Sequence, residues 1–195
     1  MGRALTRENL LYEDEVDRVK RACKNHYETL LIYGELYTGM RISEFLHLNR
    51  RWISWPEGVI RIPERMPCNC GECVKKRGGV WTPKTKDAVR AIPILPEVKE
   101  LFREFFTHPR KVGDYIGTRN VAYYHVEQIG ERAGLNHPIF PHVLRGTFAY
   151  MMAKKGLDVF RLKDLMGWAT LEPAVWYVKF AGMELKEEVL KVWKQ

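Results

Sequence analysis

The spacing of apolar residues changes twice along this chain, and those two changes limit its fold more than any other feature. From Glu13 to Leu48 apolar positions recur at helical intervals, which predicts helices over Glu13–Cys23, His26–Tyr37 and Ile42–Leu48, the second stopping at Thr38-Gly39. The pattern then breaks into short β-prone runs divided by Pro and Gly: Trp52–Trp55, Gly58–Ile62, Val80–Thr82 and Val89–Pro93. Beyond Pro96 the helical interval returns and holds to the end. It predicts helices over Val98–Phe106, Asn120–Ala133, His142–Lys155, a short one begun by Asp158 and broken by Gly167, one begun near Pro173, and a last one over 184–195. These alternations specify an α+β fold, mainly helical with one small antiparallel sheet. No repeat, low-complexity tract or interior linker divides the 195 residues, so a single domain is expected over 1–195.

The formal net charge of +8 favours a polyanionic partner, because lysines and arginines that neutralise phosphates release condensed counterions. No apolar run approaches the ~20 residues that cross a bilayer, and the N-terminus lacks the apolar stretch of a signal peptide, so a cytoplasmic protein is expected. Three of the four cysteines crowd into Cys68, Cys70 and Cys73, unlike the spread framework of a secreted mini-protein. They sit in a polar, basic insertion over 65–79. Three soft ligands within six residues suit one structural Zn2+, with Cys23 or a histidine completing a tetrahedron. Free thiols and a disulfide are the alternatives. Lys75, Lys76 and Arg77 beside them, and Arg90 further on, are candidates for contacts with a DNA backbone.

Four short patterns occur in order: Thr-Gly-Met-Arg-Ile-Ser-Glu over 38–44, Pro-Lys-Thr-Lys over 83–86, His-Val-Leu-Arg over 142–145, and Leu-Met-Gly-Trp over 165–168, nine residues before Tyr177. An oxygen nucleophile attacking a phosphodiester raises the charge on the non-bridging oxygens, so such a site needs fixed cations and N–H donors. Arginine meets that need best, since its planar fork grips two phosphate oxygens and stays charged near neutral pH.

This order of patterns resembles the tyrosine recombinase family, which includes phage integrases and Xer-type recombinases. The resemblance covers roughly residues 10 to 182 and implies the catalytic-domain fold of that family. It further implies that Arg41 and Arg145 clamp a scissile phosphate, that Lys84, or failing it Lys86, protonates the leaving 5′ oxygen, and that Tyr177 forms a covalent 3′-phosphotyrosyl bond. His142 and Trp168 match the family's two histidine positions, the second of which is His or Trp in relatives. Indole N–H can donate to phosphate but cannot act as a base, whereas His142 could take the tyrosine proton. Glu44 matches the acidic residue after the first arginine and is expected to orient basic side chains.

Such chemistry requires no metal or other cofactor. The partners implied are double-stranded DNA and further copies of the chain, a tetramer on DNA and a monomer when free, with the last helix passed between protomers. The resemblance points to integration or excision of a mobile element or viral genome. Strand relaxation in the manner of a type IB topoisomerase, or a DNA-binding module without cleavage, would use the same fold. Gly146 stands where relatives often have a histidine, and the core-binding domain that relatives carry before the catalytic pattern is not expected in these residues.

Overall fold

The computed structural model describes residues 6–107, 116–182 and 193. Helix α1 (Glu13–Arg21) places Glu13, Asp14 and Glu15 in its first turn and Arg18, Lys20 and Arg21 in its last, each sign opposite the adjacent end of the helix dipole. It buries Val16 and Val19. Helix α2 (His26–Thr38) starts where the Asn25 side chain accepts a hydrogen bond from the Glu28 N–H, 2.9 Å away. Its residues Leu30, Leu31, Ile32 and Leu36 are fully buried. An apolar surface on every side marks α2 as the central helix.

Short helix α3 (Ile42–Leu46) follows at once. Strands β1 (Ile53–Ser54), β2 (Val59–Arg61) and β5 (Ala91–Pro93) then form a three-stranded antiparallel sheet in the order β1-β2-β5, with Ile53 opposite Ile60 and Ile60 opposite Ile92. The expected single sheet needs correction. Strand β4 (Val80–Trp81) joins no member of it and pairs with β3 (Met66–Pro67) as a separate antiparallel ribbon, with Met66 opposite Trp81. The ribbon encloses helix α4 (Gly71–Arg77), which carries Cys73; Cys70 is its N-cap, and Cys68 directly follows β3.

Helices α5 (Pro96–Thr107), α6 (Arg119–Arg132) and α7 (Pro141–Lys154) pack around α2. Glu28 holds α2 to α6 through Arg132 at 2.6 Å and His125 at 3.1 Å. Helices α8 (Val159–Met166) and α9 (Glu172–Gly182) pack with α7 around a second apolar cluster that includes Leu10, Phe148, Met166 and Tyr177. The Asp158 side chain caps α8 as expected, accepting from the N–H groups of Phe160 and Arg161. No helix among the described residues is long and apolar enough to cross a membrane. The helix expected over 184–195 lies outside the described residues apart from Trp193, which is exposed.

Candidate active site

Two turns meet where the central helix adjoins the second cluster. Gly39, with φ of 58°, ends α2, and a Cβ there would lie 2.3 Å from the Phe148 ring and 2.9 Å from the Met166 sulfur. Gly167, with φ of 60°, ends α8, and a Cβ there would lie 2.8 Å from the Asp87 carbonyl oxygen. Both turns need a left-handed residue with no side chain.

Two guanidinium groups tie the turns together. Arg145 donates from Nη1 to the Gly39 carbonyl and from Nη2 to the Met166 carbonyl at 2.5 Å. Arg41 donates from Nη2 to the Gly167 carbonyl at 2.8 Å and from Nη1 to Glu44 at 2.9 Å. Each guanidinium carries five N–H donors, so these bonds fix both groups and leave donors for a ligand. Pro141 starts α7, and Arg145 lies three residues after His142, which sets both on one side of the helix.

Glu44, with no exposed side-chain surface, pairs with both Arg41 and Arg90. Burial pushes its carboxyl pKa up, and the cations Arg90, Arg145 and Arg41 outweigh that, holding it below the usual carboxylate range. Burial likewise pushes Arg145 down, with Glu44 opposing, to about 9, so the group stays charged at neutral pH. Arg90, a candidate for contact with a DNA backbone, has a buried side chain. Its donors go to Leu165 O at 2.7 Å, Ala88 O at 2.8 Å and Glu44 at 3.1 Å, inside the same cluster.

Tyr177 projects from α9 into this region. Its ring lies parallel to Trp168, with 5.6 Å between centroids and 3° between planes, and Trp176 packs edge-on against it. The phenol is 6% exposed. A Cβ on Gly146 would sit 2.9 Å from the Tyr177 oxygen, so the glycine in place of a larger residue makes room for the hydroxyl. Burial raises the Tyr177 pKa, with Arg145 and Arg7 pulling it back. The resting side chain is therefore a neutral phenol.

His142 is exposed on the first turn of α7. Desolvation nonetheless lowers its pKa, and the charges of Arg145, Arg119, Lys84 and Arg41 lower it further. Lys84 is exposed between β4 and the turn Lys86–Ala88, and its charge is felt at His142. Lys86, also exposed, opens that turn. Lys75, Lys76 and Arg77 lie on α4; Lys76 pairs with Glu72, and Arg77 donates to the Thr82 carbonyl at 2.8 Å.

Three neighbours were not foreseen in the sequence. Arg119 and Arg7 arrive from distant segments and carry no local signal. Glu35 did carry one, as a lone carboxylate in the apolar run Leu30–Tyr37; it is fully buried near Arg145 and Glu44, and its two oxygens have no hydrogen-bond partner among the described residues.

The cysteines gather elsewhere. His47, Cys68, Cys70 and Cys73 bring their ligand atoms within 4.8 Å of one another, whereas Cys23 packs on α1 with its thiol 3.6 Å from the Val19 carbonyl.

Tyrosine recombinase XerA of Pyrococcus furiosus is 27% identical over 194 residues, which cover 92% of this chain and 60% of the relative. The chain thus spans about three fifths of that relative's length. The catalytic domain of bacteriophage HP1 integrase superposes with a TM-score of 0.61 at 26% identity, covering 92% of each chain. XerH site-specific recombinase, solved in a post-cleavage complex with its difH substrate, superposes with a TM-score of 0.67 at 22% identity, covering 96% of this chain and 54% of that one. The phage integrase family model matches residues 9–182, from the segment that packs on Tyr177 to the end of the helix that bears it, and the chain belongs to that family of tyrosine recombinases.

Proposed function

We propose that this chain is the catalytic domain of a site-specific recombinase that cuts and rejoins DNA through Tyr177. The observation that carries this reading is the pair of guanidiniums, Arg41 and Arg145, held by the same two turns next to the stacked Trp168 and Tyr177 rings.

In the proposed reaction Arg41 and Arg145 bind the non-bridging oxygens of the scissile phosphate, with the Trp168 indole N–H as a further donor. The Tyr177 oxygen attacks phosphorus, forming the tyrosyl–phosphate bond as the bond to the 5′ oxygen breaks. The phenol proton passes to His142, whose lowered pKa keeps the imidazole neutral and able to accept it. Lys84 gives a proton to the departing 5′ oxygen, and Lys86 is the alternative donor. A free 5′-hydroxyl reverses these steps and reseals the strand. Glu44 and Arg90 act as positioning residues that hold Arg41 in place. The route requires no metal, because the cations that stabilise the transition state are side chains.

DNA as partner agrees with the net charge and with the DNA-bound XerH relative. Integration or excision of a mobile or viral element, and a tetramer on DNA formed through 184–195, belong to the same reading.

A library of nicked duplexes, randomised around the nick, tests it. A protein–DNA adduct stable to denaturation is expected, because loss of the short strand after cleavage prevents resealing. Binding without an adduct would mean a non-cleaving module. Relaxation of supercoiled DNA without exchange between duplexes would mean a topoisomerase-like enzyme.

A further inference from the structure

We propose that His47, Cys68, Cys70 and Cys73 bind one structural zinc ion that fastens the β3–β4 ribbon to the end of α3. A tetrahedral ion with Zn–S of ~2.3 Å and Zn–N of ~2.0 Å needs ligand atoms about 3.5–3.8 Å apart. His47 Nε2 is 3.4 Å from Cys70 Sγ and 3.6 Å from Cys73 Sγ. All four ligand atoms fall within 4.8 Å of one another, so closing around an ion asks the longest edge to shorten by about 1 Å.

The imidazole is already oriented. Its Nδ1 lies 2.7 Å from the Ser43 carbonyl, which fixes the proton on Nδ1 and turns Nε2 to the sulfurs. The ring also stacks on Trp81, with 5.5 Å between centroids, so it is held by a strand of the ribbon as well as by its own helix. Backbone N–H groups are aimed at two of the sulfurs: Cys73 N–H at Cys70 Sγ, 3.3 Å, and Cys70 N–H at Cys68 Sγ, 3.5 Å. Such donors offset thiolate charge. Three thiolates, one imidazole and Zn2+ leave a net negative charge, and Lys75, Lys76 and Arg77 in the last turn of α4 oppose it. Sulfur-rich tetrahedral sites select zinc over harder cations.

The alternatives account for less. Reduced thiols behave as small apolar groups, which gives no reason for a buried imidazole nitrogen to face two of them. A Cys70–Cys73 disulfide would leave Cys68 and His47 unexplained; all four cysteines are free thiols.

The location gives the ion a task. His47 caps the C-terminal end of α3, and Arg41 caps its N-terminal end. The ribbon leads from Trp81 directly into Lys84. An ion here fixes the lysine-bearing segment relative to the helix that positions Arg41. That last consequence rests on the proposed function; the ion itself does not.

The test is elemental analysis of the full chain, purified under reducing conditions without added metal or chelator. About one zinc per chain is expected, with less than a tenth as much in Cys73→Ser and an unchanged content in Cys23→Ser. If Cys73→Ser fails to fold, Co2+ titration of metal-stripped parent protein replaces it: intense visible absorption of tetrahedral Co2+ and a thiolate charge-transfer band should saturate at one equivalent. A parent protein with neither zinc nor that Co2+ spectrum overturns the proposal, as does zinc lost from Cys23→Ser or a Cys70–Cys73 disulfide in chain isolated separately without reductant. Tyr177→Phe should hold the same zinc, so failure of this inference and failure of the cleavage reading are separately visible.

Discussion

The Trp168 and Tyr177 rings are stacked in parallel, 3° apart in plane and 5.6 Å between centroids. Stacking of this kind contributes ~0.5–1.5 kcal/mol beyond area burial and fixes the phenol's orientation. Trp168→Phe keeps an aromatic face on Tyr177 and deletes the indole N–H. Its folding stability, read by urea denaturation, should stay within about 1.5 kcal/mol of the parent. Covalent adduct formation should slow by about 10-fold or more, the scale of a lost transition-state hydrogen bond. Unchanged adduct formation would remove the indole from the reaction.

Glu35 and Glu44 lie close together and have opposite effects on stability as pH changes. Glu44 has its pKa lowered by Arg90, Arg145 and Arg41 against burial, so its contribution is present above 4.5 and is lost as pH falls through its folded value. Glu35 has its pKa raised well above 4.5 by burial, with Arg145 opposing, so the folded state holds a proton that the unfolded chain releases. Stability then falls as pH rises from 4.5 towards the folded value, by about 1.4 kcal/mol per pH unit for one proton. Glu35→Gln deletes that term. Its Tm against pH should be flatter above 4.5 than the parent's and higher at neutral pH. A parallel pair of curves would contradict the assignment.

Gly34 is the contact point between α2 and α3. A Cβ there would lie 2.1 Å from Phe45, which is fully buried and cannot withdraw. Gly34→Ala should destabilise the fold by about 1–3 kcal/mol through overpacking, despite a helix-propensity gain of ~1 kcal/mol. It should also weaken DNA cleavage, because the displaced helix carries Glu44 and starts at Arg41. Denaturant midpoints and adduct yield, measured on the same preparation, check both effects.

Much of this was legible in local sequence. Helices with strong periodicity or a capping residue, such as His26–Thr38 behind Asn25 and Val159–Met166 behind Asp158, matched their expected ends to within a residue or two. The β3–β4 ribbon was not legible, because Met66–Pro67 is too short to show any alternation and its partner Val80–Trp81 reads like the neighbouring strands. The role of His47 beside the cysteines was equally hidden, since it ends a helix 21 residues before Cys68. Arg90 stood among the candidates for DNA-backbone contact, and its pairing with the distant Glu44 had no local signal. The grouping of Arg41, Arg145, Trp168 and Tyr177 followed from short motifs whose residues are individually common, and the turns at Gly39 and Gly167 supply its physical basis.

The central claim is that the Tyr177 oxygen becomes joined to DNA. The direct measurement is mass spectrometry of the trapped adduct after protease and nuclease digestion. The account predicts a nucleotide phosphate on the peptide containing Tyr177, and no adduct at all from Tyr177→Phe, which keeps the ring and its stacking. An adduct mapped to another residue, or one that survives Tyr177→Phe in undiminished yield, would contradict it.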